Sequence, residues 1–206
     1  MHLRLKELTV VAALGALWGS VEIGLGSLLH VWNVPFIGLI LGTLGIAIAL
    51  VGRVVVPRPG STLTIAAVAA LLKALSVGGV VLSPMIAIVM EGLIADLVLS
   101  IGRRPRRLTF VLAGALAVTW NLAHPLLVQG LVFGTGILTM YRSVLEKGAD
   151  LFGISPSLVM LVLAGLVALY LAVGSAAGLV AWEAGRSVVA RRAVHPNEQE
   201  DFRERA

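Results

Sequence analysis

Apolar residues in this chain neither alternate nor keep to one helical face. They run in blocks of spanning length, broken by short stretches rich in glycine, proline and charge. A bilayer core of about 30 Å needs roughly 20 apolar helical residues, so each block reads as a transmembrane helix. The pattern predicts six spans: Leu8–Leu29, Phe36–Gly52, Thr62–Gly78, Pro84–Ile101, Leu108–Phe133 and Pro156–Trp182. The second is short and reaches spanning length with its flanking valines. The expected fold class is an all-α, polytopic membrane protein in a single domain over residues 1–192. Residues 193–206 form a polar tail expected to be disordered. The first block continues to spanning length without a clear small-residue cleavage site, so it is expected to remain as a span. No internal repeat is evident.

Composition agrees with this pattern. Of 206 residues, 58% are hydrophobic and 13% charged, against roughly 45–50% and about 25% in a soluble domain. There is no cysteine, which removes disulfides, thiolate nucleophiles and cysteine-ligated metals from consideration. The pI of about 10.4 does not point to nucleic acid, because the basic residues sit in turns rather than along one face.

Those turns set the expected orientation. Lysine and arginine gather at Arg4 and Lys6, at Arg53 and Arg58, in the GRRPRR turn Gly102–Arg107, and at Arg186, Arg191 and Arg192 after the last span. The alternate turns hold none in the first two cases. The third, the Gly134–Ser155 connector, holds Arg142 and Lys147 against Glu146 and Asp150. The positive-inside rule then predicts both termini in the cytoplasm of a cell-membrane protein. The long outer connector spaces Ile137, Tyr141, Val144, Leu145 and Phe152 near helical period. Two readings stand for it, a lid over a site or an ordinary amphipathic link.

Charges inside spans are the candidate chemistry, since an intramembrane ion is rarely left unpaired or facing lipid. The stretch Ala69–Leu99 carries Lys73, Glu91 and Asp96, and the first span adds Glu22. At about 1.5 Å per residue, Glu22, Lys73 and Glu91 fall toward the outer half of their spans. Trp120, Asn121, His124 and Gln129 do the same in the fifth span, around the helix-disturbing Pro125. Asp96 lies deeper, toward the cytoplasmic side, and is expected near Arg103 and Arg104. Glu22 and Lys73 either neutralise one another or contact a ligand. Glu91 is the stronger ligand candidate, because two acids compete for one lysine and Glu91 is the outer one. Glu91 and Asp96, five residues apart, face different directions and are not expected to share a partner. His124 is either a ligand contact or a packing hydrogen-bonder. Trp18, Trp32 and Trp182 have an interfacial-belt reading, whereas Trp120 lies too deep for that belt. Small residues carry a second message. Ala12, Ala16 and Ser20 form one ladder in the first span and Gly15 and Gly19 another, with Gly174 and Gly178 in the last. Such ladders let helices approach closely, inside the bundle or against another protein.

With these residues in place the chain resembles a substrate-binding S component of the energy-coupling-factor (ECF) vitamin transporters. The resemblance lies in layout: six spans in about 200 residues, both ends inside, the Ala12/Ala16 ladder early in span one, and a polar site in the outer half. It implies a high-affinity site made by Glu22, Lys73, Glu91, Trp120, Asn121, His124, Trp32 and Gln129. That site would be covered by the turn His30–Phe36 and by the connector after span five. It also implies that Ala12, Ala16 and Ser20 dock on a membrane coupling subunit driven by ATPases on other chains, with the small molecule, the lipid bilayer and these subunits as the partners. No GxxxxGK[ST] motif is present, so energy is expected from those partners and no enzymatic activity or cofactor from this chain. Metal-specific relatives follow an N-terminal Met-His with an acidic segment, whereas Met1-His2 here leads into Leu3-Arg4-Leu5-Lys6. Two acids against one lysine, beside Trp120, favour a cationic aromatic heterocycle such as thiamine or its pyrimidine. An unpaired Lys73 would favour an anion. Two other classes stay open. A proton- or cation-coupled carrier would use Glu22, Lys73 and Glu91. A membrane-embedded enzyme would use Glu22, Glu91 and His124 as acid and base, although no HExxH spacing is present.

Overall fold

The apolar blocks fold as α-helices in the structure, a computed structural model that describes residues 4–75, 82–101, 106–133 and 155–194, with residues 139, 146, 147 and 153. In chain order they are α1 (Leu5–Val31), α2 (Ile37–Val55), α3 (Ser61–Ala74), α4 (Leu82–Ile101), α5 (Arg107–Phe133) and α6 (Pro156–Val194). No strand occurs among the described residues. All but α3 are long and apolar enough to cross a membrane, which fits a multi-pass membrane protein. The 14 residues of α3 rise about 21 Å at 1.5 Å each. The rest of the third predicted span, from residue 76, lies outside the described residues. So do Arg103 and Arg104, most of the 134–155 connector and residues 195–206.

The spatial order differs from the chain order. α2 occupies the centre and touches each of the other five helices. Around it α1, α3, α4, α5 and α6 follow one another, and among the described residues α6 meets α1 only through α2. Small residues explain how the backbones come so close. A Cβ on Gly15 or Gly19 would lie 2.6–2.8 Å from Val68 or Leu72 of α3, so this glycine ladder is the α1–α3 seam. The Gly174/Gly178 ladder is the α5–α6 seam: a Cβ on either would fall within 2.4 Å of the Gly114 or Phe110 carbonyl. Trp18 is fully buried, its indole seated against Gly45 of α2. That corrects its interfacial-belt reading, because the missing Gly45 side chain opens a slot for the ring inside the bundle. Trp182 packs its ring on Phe110, with centroids 4.9 Å apart, and the Arg186 guanidinium stands 5.7 Å from the Trp182 ring centroid. α6 continues through these residues as far as Val194, past the end predicted at Trp182.

A buried ionic node closes one end of the bundle. Asp96 of α4 accepts from the Thr62 hydroxyl at 2.7 Å and from the Gly60 backbone N–H at 2.8 Å, and meets the Arg53 guanidinium of α2 at 3.4 Å. Gly60 turns with φ 89° at the head of α3, a conformation that costs glycine nothing. Arg53 also donates to the Arg58 carbonyl and to Ser100 Oγ, and Arg58 reaches Glu7 of α1 at 2.8 Å. The node therefore ties α1 to α4 through the α2–α3 turn. Asp96 pairs with Arg53, 43 residues back in sequence; Arg103 and Arg104, near which it is expected, lie outside the described residues.

Candidate functional site

At the opposite end, where α1 finishes at Val31 and α2 begins, a cavity of about 220 Å³ lies between α1, α2, α3, α4 and α5. Helical periodicity places its walls. Glu22, Gly26 and His30 lie four apart and make one stripe of α1. Ala87, Ile88 and Glu91 do the same for α4, and Asn121 and His124 for α5. From α2 come Ile37, Gly38, Leu41 and Gly42, and from α3 comes Lys73.

The polar groups are arranged in three sets. Lys73 lays its ammonium against α1, 3.0 Å from the Glu22 backbone carbonyl and 3.6 Å from the Glu22 carboxylate. Gly26 leaves room for it, since a Cβ there would sit 3.7 Å from Nζ. Glu91, only 2% exposed, accepts on Oε1 from the Asn121 side-chain amide at 2.6 Å. Its second oxygen, Oε2, is buried with no hydrogen-bond partner. Gly42 makes this pairing possible, because a Cβ would lie 2.4 Å from Asn121 Nδ2 and 3.0 Å from Glu91 Oε1. Ser83, in the first turn of α4, meets His124 Nε2 at 3.1 Å. His30 bonds the Gly26 carbonyl through Nδ1 at 2.8 Å. A carbonyl only accepts, so Nδ1 carries the proton and Nε2 of the neutral ring is left as an acceptor.

Of the residues expected at the site, Glu22, Lys73, Glu91, Asn121 and His124 line this one cavity. Glu22 and Lys73 form the ion pair that was one of their two readings. Trp120 does not line the cavity. Its ring stands behind His124, 6.4 Å away centroid to centroid. Trp32 is 70% exposed on the turn and contributes no wall. The side chain of Gln129 and the proposed lid connector lie outside the described residues, apart from isolated positions. Sequence reasoning missed His30 and Ser83 as wall residues, and the glycines Gly38 and Gly42. His30 was legible as the continuation of the Glu22 stripe, eight residues on. The role of Gly42 was not, since nothing in an apolar block says which glycine faces a carboxylate.

Chemically this cavity offers fixed hydrogen-bonding groups and aliphatic sides. Among the described residues no three His, Asp or Glu side chains gather as metal ligands. The Ser83–His124 pair lacks the carboxylate that orients a catalytic triad, for His124 Nδ1 is buried without a partner. The small-residue ladder expected to meet a partner lies on a separate surface. Ala12, Ala16 and Ser20 are exposed along α1, while Gly15 and Gly19, on the neighbouring face, are buried. Comparison of the chain with protein families, with curated proteins and with solved structures finds no match.

Proposed function

We propose that this chain is the substrate-capture subunit of an energy-coupling-factor importer. In this reading it lies in the cell membrane with both termini and the Arg53–Asp96 node on the cytoplasmic side. The cavity then faces outward and holds a small vitamin or vitamin precursor. α3 completes a sixth span, and Ala12, Ala16 and Ser20 meet a membrane coupling subunit driven by ATPases on other chains.

The observation that carries the reading is the division of α1 into two faces. Its glycine ladder is consumed by packing on α3, whereas its Ala12/Ala16/Ser20 ladder is left outward. In lipid a stripe of small side chains is of use mainly to another helix that packs on it. Glu22 and His30, farther along the same helix, line the cavity. A single rigid helix thus joins a ligand wall to an outward small-residue face. Transport by capture and docking requires such a link.

Co-expression with a coupling subunit and its ATPases tests this. Ala16→Leu is expected to leave ligand affinity within about twofold while abolishing co-purification and uptake. Retained co-purification in Ala12→Leu and Ala16→Leu alike would overturn the docking assignment. A carrier that works alone would instead transport in liposomes without any partner.

A further inference from the structure

Two residues that line the cavity carry a buried polar atom with no hydrogen-bond partner, Glu91 at Oε2 and His124 at Nδ1. Glu91 lines the wall; its Oε2 is buried and has no hydrogen-bond partner, while Oε1 is held by Asn121. Two more uncommitted acceptors share the space. Asn121 Oδ1 makes no hydrogen bond among the described residues once Nδ2 is turned to Glu91. His30 Nε2 is free because Nδ1 is spent on Gly26. The main donors are otherwise engaged: Asn121 Nδ2 on Glu91, the Lys73 ammonium on Glu22, and the Nε2 edge of His124 on Ser83. Formal charge agrees, with the two carboxylates Glu22 and Glu91 against the single ammonium of Lys73.

An acceptor-rich wall that holds two buried carboxyl groups selects for N–H donors as well as for positive charge, because a buried acceptor left unmade is costly. The other walls, Ile37, Leu41, Ala87 and Ile88, are aliphatic. Neither Trp120 nor Trp32 lines the space, so indole stacking is not what recognises the ligand. The volume of about 220 Å³ equals that of roughly seven liquid waters at about 30 Å³ each. That admits one ring or a short chain.

We infer that the site takes a compact cation bearing at least two N–H donors, of the amidinium, guanidinium or protonated amino-heterocycle class, with one N–H on Glu91 Oε2. A cation without N–H groups is rejected even at the same size and charge. This rests on the capture reading above and specifies its ligand.

The test is a thermal-shift and titration-calorimetry panel on the full chain in detergent. The probes are benzamidine and 4-aminopyridine as N–H cations, N-methylpyridinium and phenyltrimethylammonium as donor-free cations, and nicotinate as an anion, beside a set of neutral and anionic vitamins. A ligand that binds only the folded chain raises Tm. The N–H cations are expected to raise Tm and the donor-free cations to leave it unchanged. Glu91→Gln is expected to weaken N–H cations at least tenfold. His30→Phe, at an exposed helix end where folding is not at stake, is expected to weaken them about threefold or more. Equal binding of donor-free cations would overturn the inference, and so would no loss in the folded His30→Phe protein. Tight binding of an anionic or neutral vitamin, lost in Lys73→Met, would overturn it too but leave the capture reading standing. If nothing in the panel or the vitamin set stabilises the chain, both fall.

Discussion

Two glycines of α2, three residues apart, do different work. Gly42 faces the Asn121–Glu91 pair, and Gly45 faces the ring of Trp18. Adding a methyl group separates the roles. In Gly42→Ala the clash falls on the tip of the Asn121 side chain, which can swing aside. The expected result is a ligand affinity at least tenfold lower, read by calorimetry, with Tm changed by only a few degrees. In Gly45→Ala the methyl group would meet the fully buried indole of Trp18, which has nowhere to go. Overpacking of that kind costs about 1–3 kcal/mol, so a lower Tm is expected before any effect on binding. Asp96→Asn belongs at the same scale. It keeps an oxygen for Gly60 and Thr62 but leaves Arg53 buried without a counter-charge. Removing one partner of a buried pair costs about 3–5 kcal/mol, which makes this the most destabilising of the three substitutions in a detergent unfolding assay.

Helix pairs are held by small residues on facing backbones, and the same residue type elsewhere is free for other use. The seam between α5 and α6 brings Gly174 and Gly178 against the Gly114 and Phe110 carbonyls. Gly174→Val would push backbone against backbone, with no flexible side chain to yield. Loss of the folded protein on size-exclusion chromatography is expected. The Ala12/Ala16 ladder on α1 has the same spacing, yet leucine there is expected to leave folding intact because those positions are exposed. Spacing alone does not distinguish the two ladders. What separates them is which face α3 covers, since Gly15 and Gly19 pack directly on Val68 and Leu72.

For the whole molecule the ionic node and the cavity sit at opposite ends, which gives the chain a polarity that can be checked. The native sequence has no cysteine, so one introduced at a time reports cleanly. A cysteine at Trp32, 70% exposed on the α1–α2 turn, is expected to react in intact cells with a membrane-impermeant maleimide. One at Pro59, on the α2–α3 turn beside the node, is expected to react only after the membrane is opened. The opposite pattern would turn the cavity inward and remove the basis for capture from outside.

The membrane class, the all-helical fold and the short list Glu22, Lys73, Glu91, Asn121 and His124 were all legible in the sequence. Block length, the cost of a charge in lipid and a depth of about 1.5 Å per residue are local quantities that need no partner. What only the tertiary structure decided is who meets whom. Asp96 chose Arg53, 43 residues away, because α2 threads the middle of the bundle. Trp120, although at the right depth, lies behind His124 because depth along an axis says nothing of rotation about it. The two small ladders of α1 parted for the same reason. A helix in lipid reveals from its sequence how far along it a residue lies, whereas the direction that residue faces is set by neighbours folded in from elsewhere in the chain.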